Sequence, residues 1–352
     1  MIYRRPSYYD TFRCLGGSCP DTCCRDWSVA PDDDFLAGRA AAPVPLGKRI
    51  ARNLVTDEDG DVCFRLDERG MCALLTPDGL CAIQRDWGEE HLCAHCAAYP
   101  RFIEEYGSLT ESSLAISCPE AARLLLEAPH FALIEENDSR DDPPFEGVDR
   151  SLLAGLEQSR AQILALLDGP ESIWDKLRTL LSRAKALEPV LIPSDFRREY
   201  PFPPPPTPNL FQSSAPRLLE LLSGLDPLRP SWPELLKERA SQLAALSPAD
   251  YAALRARYGQ ANPRWERQLS NLACYFVFRH WHKAVNDDDI YGRAAFVCAA
   301  CFALYHLSLF QPGEEAALWT RFSREVEHDE DNLSELIWAL SQPDALPPPL
   351  SY

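Results

Sequence analysis

Apolar residues follow a helical period through most of the chain beyond residue 149. Leucine and isoleucine recur at three- and four-residue steps over 152–167, and a second run of the same kind begins at Ile173. Residues 265–285 and 292–310 form the most hydrophobic part of the chain and are rich in aromatic side chains. This pattern predicts a helical segment over 149–192 and a helical domain over 234–340. An aromatic stripe of this kind is more typical of a core than of a binding pocket.

Proline dominates the stretch between these helical regions. Eleven prolines lie between residues 193 and 233, four of them consecutive at 203–206. Because proline lacks a backbone N–H and fixes φ, the stretch is expected to be an extended connector rather than a regular helix. Docking of this polyproline segment on a partner is the alternative interpretation.

The first 128 residues have a different character. They contain short apolar pieces, glycine-rich turns and an acidic stretch over 57–61. Such a segment has little core of its own and usually needs an additional cross-link, which a metal can supply. The expected fold class is therefore mainly α, with an irregular cysteine-rich metal-binding N-terminal domain over 1–128 followed by a helical C-terminal domain.

Composition and charge narrow the possible partners. The chain has 352 residues, 46% of them apolar, and a formal net charge of −18. A strongly acidic surface repels nucleic acid and attracts lysine-bearing protein surfaces, although it can also serve solubility alone. The start of the chain has no signal-peptide pattern, and the apolar run over 294–310 is short for a membrane span and contains His306. We therefore expect a cytoplasmic protein with no membrane partner.

The cysteines give the most specific indication of chemistry. Ten of the 13 lie within the first 118 residues, a density that in a reducing compartment indicates metal ligands or redox chemistry. Four thiolates must converge to hold zinc or an iron–sulfur cluster, and short spacings supply two ligands from one turn. The expected ligands are Cys14, Cys19, Cys23, Cys24, Cys72, Cys81, Cys96 and Cys118. These could serve one site with spare thiols or two sites, and Cys63 is expected to be a small buried residue instead.

Several other cysteine and glycine patterns are missing. The Cys-x3-Cys-x2-Cys spacing of radical S-adenosylmethionine enzymes and the ferredoxin-type runs do not occur. None of the 16 glycines forms a phosphate-type or methyl-donor loop, which argues against a Rossmann methyltransferase. Thiol–disulfide chemistry at Cys93-x2-Cys96 is a weaker alternative, because the βαβ context of a thioredoxin-like protein is lacking.

A series of short blocks in the first 125 residues resembles the flagellin lysine-N-methylase (FliB-like) family and, more broadly, cysteine-rich zinc/iron-chelating domain proteins. The blocks, in chain order, are Pro6-Ser7-Tyr8-Tyr9, Asp21-Thr22-Cys23-Cys24, Cys72-Ala73-Leu74-Leu75, Leu80-Cys81-Ala82-Ile83-Gln84, Tyr99-Pro100-Arg101-Phe102 and Ser117-Cys118-Pro119-Glu120. The resemblance implies methyl transfer from S-adenosylmethionine to exposed lysines of a protein substrate, flagellin, and cysteines that hold a [4Fe–4S] cluster. Zinc is the alternative metal.

Lysine attacks a methyl group only as the neutral amine, so the site must lower its pKa or take its proton. Tyr99, beside Arg101, is the first candidate neighbour of that amine, and a structural turn that braces Cys96 is the competing interpretation. A non-catalytic zinc- or iron-binding module that supports protein interaction or metal handling is the alternative function.

Overall fold

A computed structural model describes residues 1–57, 60–138, 149–192 and 208–342. The described chain divides into two compact units. A helical unit contains Met1–Asp10, Ile103–Ser113 and the described part of Ala122–Tyr352, and a cysteine unit contains Thr11–Phe102 and Leu114–Ala121. The boundary expected near residue 128 remains a prediction, and in this division the cysteine unit begins after the first ten residues.

In the part of the chain that the structure describes, six strands form two small sheets. The strands are β1 (Ile2–Pro6), β2 (Leu54–Thr56), β3 (Val62–Phe64), β4 (Arg101–Tyr106), β5 (Leu109–Leu114) and β6 (Leu133–Asn137). The larger sheet has the order β4-β5-β1-β6, with β1 parallel to β5 and antiparallel to β6, whereas β2 and β3 pair only with each other. The N-terminal third therefore contains regular sheet, which the expectation of an irregular segment missed.

Fifteen α-helices make the described chain mainly α, which confirms the expected class. They are α1 (Asp33–Gly38), α2 (Val44–Arg52), α3 (Ala82–Asp86), α4 (Ala94–Ala98), α5 (Pro119–Glu127), α6 (Arg150–Asp168), α7 (Ile173–Leu191), α8 (Pro208–Leu222), α9 (Ser231–Ala245), α10 (Pro248–Ala261), α11 (Trp265–His280), α12 (Ala284–Asp287), α13 (Ile290–Ser308), α14 (Glu315–Phe322) and α15 (Glu330–Leu340). The helices expected after residue 149 are present as α6 and α7. Asp149 caps α6, and Ser172 caps α7.

The expectation of an extended connector over 193–233 is wrong for its second half. Residues 208–222 form α8, and α9 begins at Ser231. Pro208 stands at the first helical position, where its missing N–H has no intrahelical acceptor to lose. Pro216 lies inside α8, and the buried side chains of Leu218, Leu219 and Leu222 offset its cost. Residues 193–207 lie outside the described residues.

The most apolar helix is also the most deeply buried. Among the described residues, α13 alone is long and apolar enough to cross a membrane, yet it is entirely buried inside the protein. This confirms the expectation of a buried helix over the apolar run that contains His306. The His306 ring has partners suited to its neutral form, because Nδ1–H donates to the Phe302 carbonyl and Nε2 accepts from the Tyr251 hydroxyl, each at 2.8 Å.

Candidate metal centre

The cysteine unit has a small apolar core on which three cysteine-bearing segments converge. Phe35, Phe64, Leu74 and Ile83 belong to this core, and so does Cys93. The side chains of Cys72, Cys81 and Cys96 are partly buried and pack against the same core. All 13 cysteines of the chain are free thiols.

Backbone hydrogen bonds and bridges bring together the segments that carry Cys24, Cys72 and Cys81. The Cys72 N–H donates to the Cys24 carbonyl at 2.9 Å, and an antiparallel bridge joins Arg25 to Met71. A second bridge joins Leu75 to Cys81, which closes the loop between Cys72 and Cys81. These isolated bridges and hydrogen bonds bring the segments that carry Cys24, Cys72 and Cys81 side by side.

Two polar side chains hold the surrounding loops. The Arg49 guanidinium, on α2, donates to the carbonyls of Ala73 and Leu75 at 2.8 and 2.9 Å. One carboxylate oxygen of Asp32 caps α1 through the Phe35 N–H at 3.0 Å, and the other accepts from the Ala94 N–H at 2.5 Å. Because Ala94 follows Cys93 directly, Asp32 fixes the start of α4 and with it the Cys93-x2-Cys96 turn.

The thiols of Cys93 and Cys96 share a hydrogen bond. Hydrogen bonds from Cys96 lower the pKa of Cys93 to about 7, even though burial opposes this shift. The pKa of Cys96 is raised by that same hydrogen bond, by burial, and by the negative charges of Cys93, Cys24 and Cys81. The charge of Cys96 is thus affected by Cys93 on the same turn and by the thiols of two other segments, Cys24 and Cys81.

The pKa values of Cys72 and Cys24 are also raised by burial and by neighbouring cysteines. Burial raises the pKa of Cys72 to about 11, with further contributions from the charges of Cys24 and Cys81. The pKa of Cys24 is raised by a hydrogen bond with Cys23 and by burial. We call Cys24, Cys72, Cys81, Cys93 and Cys96 the five-thiol group.

A second, smaller group forms elsewhere in the same unit. Burial raises the pKa of Cys118 to about 11, and the charges of Cys19 and Cys14 add to the shift. The Cys19 thiol also donates to the Asp21 carbonyl at 3.3 Å, and the Gly16 N–H donates to the Cys14 sulfur at 3.4 Å. The eight expected ligands therefore fall into two groups, with Cys23 adjacent to the first through Cys24.

Cys93 is the member that the sequence-based ligand set omitted, although its two-residue spacing from Cys96 was a usable indication. Cys63 is only 4% exposed, and its thiol donates to the Asp57 carboxylate at 3.3 Å. The last three cysteines are buried in helices α11 and α13 of the helical unit: Cys274, Cys298 and Cys301.

The five-thiol group fits a thiolate-bound metal in chemistry and in number. Among the residues that the structure describes, no three His, Cys, Asp or Glu side chains are already arranged around one point as metal ligands. The group nevertheless offers at least four partly buried sulfurs whose negative charges oppose one another's ionisation. A cation would reverse that opposition and favour the thiolates, which are the ligand form.

Tyr99 and Arg101 both make contacts within the cysteine unit. The Tyr99 hydroxyl lies 3.0 Å from the Ser117 hydroxyl, and its ring packs edge-on against Trp27. The Arg101 guanidinium lies over the Phe12 ring at 5.2 Å from its centre. Both the structural turn that braces Cys96 and a role for Tyr99 beside a substrate amine remain predictions.

The helical unit contains a buried ionic cluster that the sequence did not reveal. Glu327 lies on a π-helical turn, Ser323–Glu327, and accepts from the Tyr275 hydroxyl at 3.0 and 3.1 Å. Arg279 Nε lies 3.3 Å from the same carboxylate, and His280 Nε2 lies 3.1 Å from it. Burial lowers the pKa of His280 to about 4, so its ring is neutral at neutral pH and donates to Glu327.

A second buried cluster joins the sheet to the helices of this unit. Glu111, on β5, forms a bidentate ion pair with Arg160 of α6 and a further pair with Arg4 of β1 at 3.1 Å. His282 Nδ1 lies 3.4 Å from the same carboxylate. Burial alone would raise the pKa of Glu111, but Arg160 and His282 hold it at about 2. Arg279 and His280 at the end of α11 face Glu327, and His282 just after it faces Glu111. This pattern is typical of structural ion pairs.

Comparison with known proteins identifies three relatives from Salmonella. The flagellar biosynthetic protein FliU of Salmonella muenchen is 26% identical over 140 residues, which cover 38% of this chain and 82% of that protein. Two proteins named lysine-N-methylase, from Salmonella typhimurium and Salmonella choleraesuis, are each 26% identical over 137 residues. That match covers 37% of this chain and 34% of each methylase, so the chain matches about a third of their length.

No family model and no solved structure matches the chain. The resemblance to lysine-N-methylases is confirmed by the curated relatives, at low identity and over part of the chain.

Proposed function

We propose that the chain is an S-adenosylmethionine-dependent lysine N-methyltransferase that acts on flagellin in the cytoplasm and carries a thiolate-bound metal centre. The similarity to proteins named lysine-N-methylase carries this proposal. The related flagellar biosynthetic protein supports flagellin as the substrate. The ordered blocks around the cysteines support the same assignment.

The five-thiol group would hold the metal, a [4Fe–4S] cluster by the resemblance or zinc as the alternative. A bound metal would cross-link the segments that carry Cys24, Cys72, Cys81 and the Cys93–Cys96 turn. Such a cross-link suits a unit whose apolar core is small. The thiols Cys14, Cys19 and Cys118 are available for a second site.

Methyl transfer requires a neutral lysine amine. The amine nitrogen would bond to the methyl carbon as the bond from that carbon to the sulfonium sulfur breaks, and the proton then lost from the nitrogen would pass to solvent. Tyr99 is the proposed neighbour of the amine, because its hydroxyl is held in place by Ser117 and Trp27 and can accept a hydrogen bond without adding negative charge.

The proposal is tested by incubating anaerobically purified protein with flagellin and S-adenosylmethionine that carries a labelled methyl group. Label on flagellin lysines, lost in Cys72→Ser and retained in the matched Cys63→Ser variant, is the expected result. The absence of transfer by protein with its full metal content would overturn the proposal. Tyr99→Phe tests the residue assignment and is expected to lower the methylation rate without changing the metal content.

A non-catalytic metal module is the second candidate function, favoured by the lack of a glycine-rich methyl-donor loop in the sequence. Binding of S-adenosylmethionine, measured by calorimetry, separates the two candidates. The methyltransferase requires binding, whereas a purely structural metal site predicts none.

A further inference from the structure

The free edge of the larger sheet has the properties of a docking strand. β4 is an outer strand in the order β4-β5-β1-β6, and no strand among the described residues pairs with its outer side. Exposed sheet edges can pair with another chain, and they are usually guarded by charged side chains, especially lysine, by proline or by a bulge. β4 has no lysine and no proline, and beside the charged residues Arg101, Glu104 and Glu105 it carries Ile103, whose side chain is 64% exposed.

The register shows which backbone groups face outward. β4 and β5 are joined by Gly107 and Ser108, and the Ala115 N–H donates to the Pro100 carbonyl at 2.8 Å. In an antiparallel ladder of this register, the even-numbered residues of β4 exchange hydrogen bonds with β5. The N–H and C=O groups of Ile103 and Glu105 therefore point away from the sheet.

The side chains of these two residues share the exposed face of the strand. Burial alternates along β4, with Ile103 and Glu105 exposed, Glu104 half-buried and Tyr106 buried. Glu104 is engaged by Lys283 at 3.0 Å. An added strand would thus place its own side chains beside an apolar residue and a carboxylate that lie two positions apart.

The opposite edge offers a useful contrast. β6 also carries exposed glutamates, but Glu135 pairs with Arg4 at 2.9 Å and Glu136 pairs with Arg5 at 2.6 Å. The β6 carboxylates are therefore satisfied within the protein, whereas β4 combines an exposed carboxylate with an exposed apolar side chain.

We propose that an extended segment of the protein substrate adds to the outer edge of β4, with one of its lysines beside Glu105 and an apolar side chain beside Ile103. The inference rests on the proposed function for its lysine-bearing substrate. Main-chain hydrogen bonds to Ile103 and Glu105 would supply affinity, and the two side chains would select a segment with lysine and an apolar residue two positions apart. The lysine beside Glu105 serves recognition and is distinct from the methyl acceptor, because an adjacent carboxylate keeps an ammonium protonated.

Hydrogen–deuterium exchange of the full chain, with and without purified flagellin, tests this docking. The amides of Ile103 and Glu105 are expected to exchange rapidly in the free protein and at least about tenfold more slowly in the complex. Binding of flagellin without a change at these amides would overturn the docking strand and leave the proposed function standing. If flagellin does not bind at all, both proposals fail.

Two variants and one control make the test specific. Ile103→Pro removes only an outward-facing N–H and blocks strand addition, so we expect it to weaken flagellin binding at least tenfold while the β4–β5 pairing persists. Glu105→Lys is expected to weaken binding about three- to tenfold through like-charge contact with the substrate lysine. The control Glu335→Lys, an exposed site on α15, makes the same charge change and is expected to leave binding unaltered.

Equal weakening by the control would mean that total charge, and not β4, governs binding. Slow exchange of both amides in the free chain would also overturn the proposal. If that protection rose with protein concentration, the occupant of the edge would be a second copy of the chain.

Discussion

The two units of this protein are stabilised in different ways. In the helical unit, α13 is buried along its whole length, and the buried carboxylates of Glu111 and Glu327 are matched by arginines. The cysteine unit has a small apolar core and brings together five thiols whose charges oppose one another. The helical unit thus contains partners for its buried charges, whereas the thiols of the cysteine unit raise one another's pKa and have no cationic partner of this kind in the proposed ligand group.

The largest expected difference concerns metal removal. If the five-thiol group holds the proposed metal, stripping that metal, or combining Cys72→Ser with Cys81→Ser, should unfold the cysteine unit, because binding of a structural metal contributes about 10 kcal/mol to folding. Hydrogen exchange should show the loss of protection within 11–102, with α13 still protected. Cys63→Ser is the matched control and should leave protection intact. Uniform protection in metal-free protein would show that the core is sufficient without metal.

The next effect is specific to the helical unit. Arg160→Met leaves the Glu111 carboxylate without its bidentate partner in a buried site, and it should lower the free energy of unfolding by about 3 kcal/mol. Denaturant unfolding measures the change. Arg178→Met, whose partner Asp175 is exposed, should cost less than about 0.5 kcal/mol. Equal effects of the two variants would contradict the role of the buried pair.

A pH dependence should also come from the helical unit. Burial lowers the pKa of His306 from 6.5 to about 3, so the folded state binds fewer protons than the unfolded state between these values. The stabilisation is therefore complete above pH 6.5 and is lost as the pH falls, by about 2 kcal/mol between pH 7 and pH 5. His306→Gln should flatten this part of the stability–pH curve. An unchanged slope in the variant would refute the assignment.

The smallest predicted effects compare helix caps in the two units. Ser172→Ala removes the cap of α7, and Asp32→Ala removes the cap of α1 together with the bond to the Ala94 N–H. Each should cost about 1 kcal/mol. The first loss should appear in global unfolding and the second as faster local exchange around Cys93–Cys96. A loss of global stability in Asp32→Ala, with only local exchange changed in Ser172→Ala, would contradict this prediction.

The sequence by itself determined the features that depend on local spacing. Helical periodicity placed α6 and α7, and the continuous apolar run identified α13 as a buried helix, whereas the metal-binding unit indicated by cysteine density remains a prediction. Each of these depends on residues within a few turns of one another. The proline content, also a local property, was misleading for α8, because burial of its leucines outweighs the loss of a hydrogen bond at Pro216.

Only the tertiary structure decided which distant residues meet. The pairing of β1 with β5 and β6 joins positions more than 100 residues apart, and β4 is left as an outer strand among the residues that the structure describes. The division of the thiols into two groups, the inclusion of Cys93 and the carboxylate partners of Arg279, His280 and His282 likewise follow from long-range packing. Sequence spacing specifies neighbours along the chain, whereas burial and charge pairing between separate segments depend on how those segments fold together.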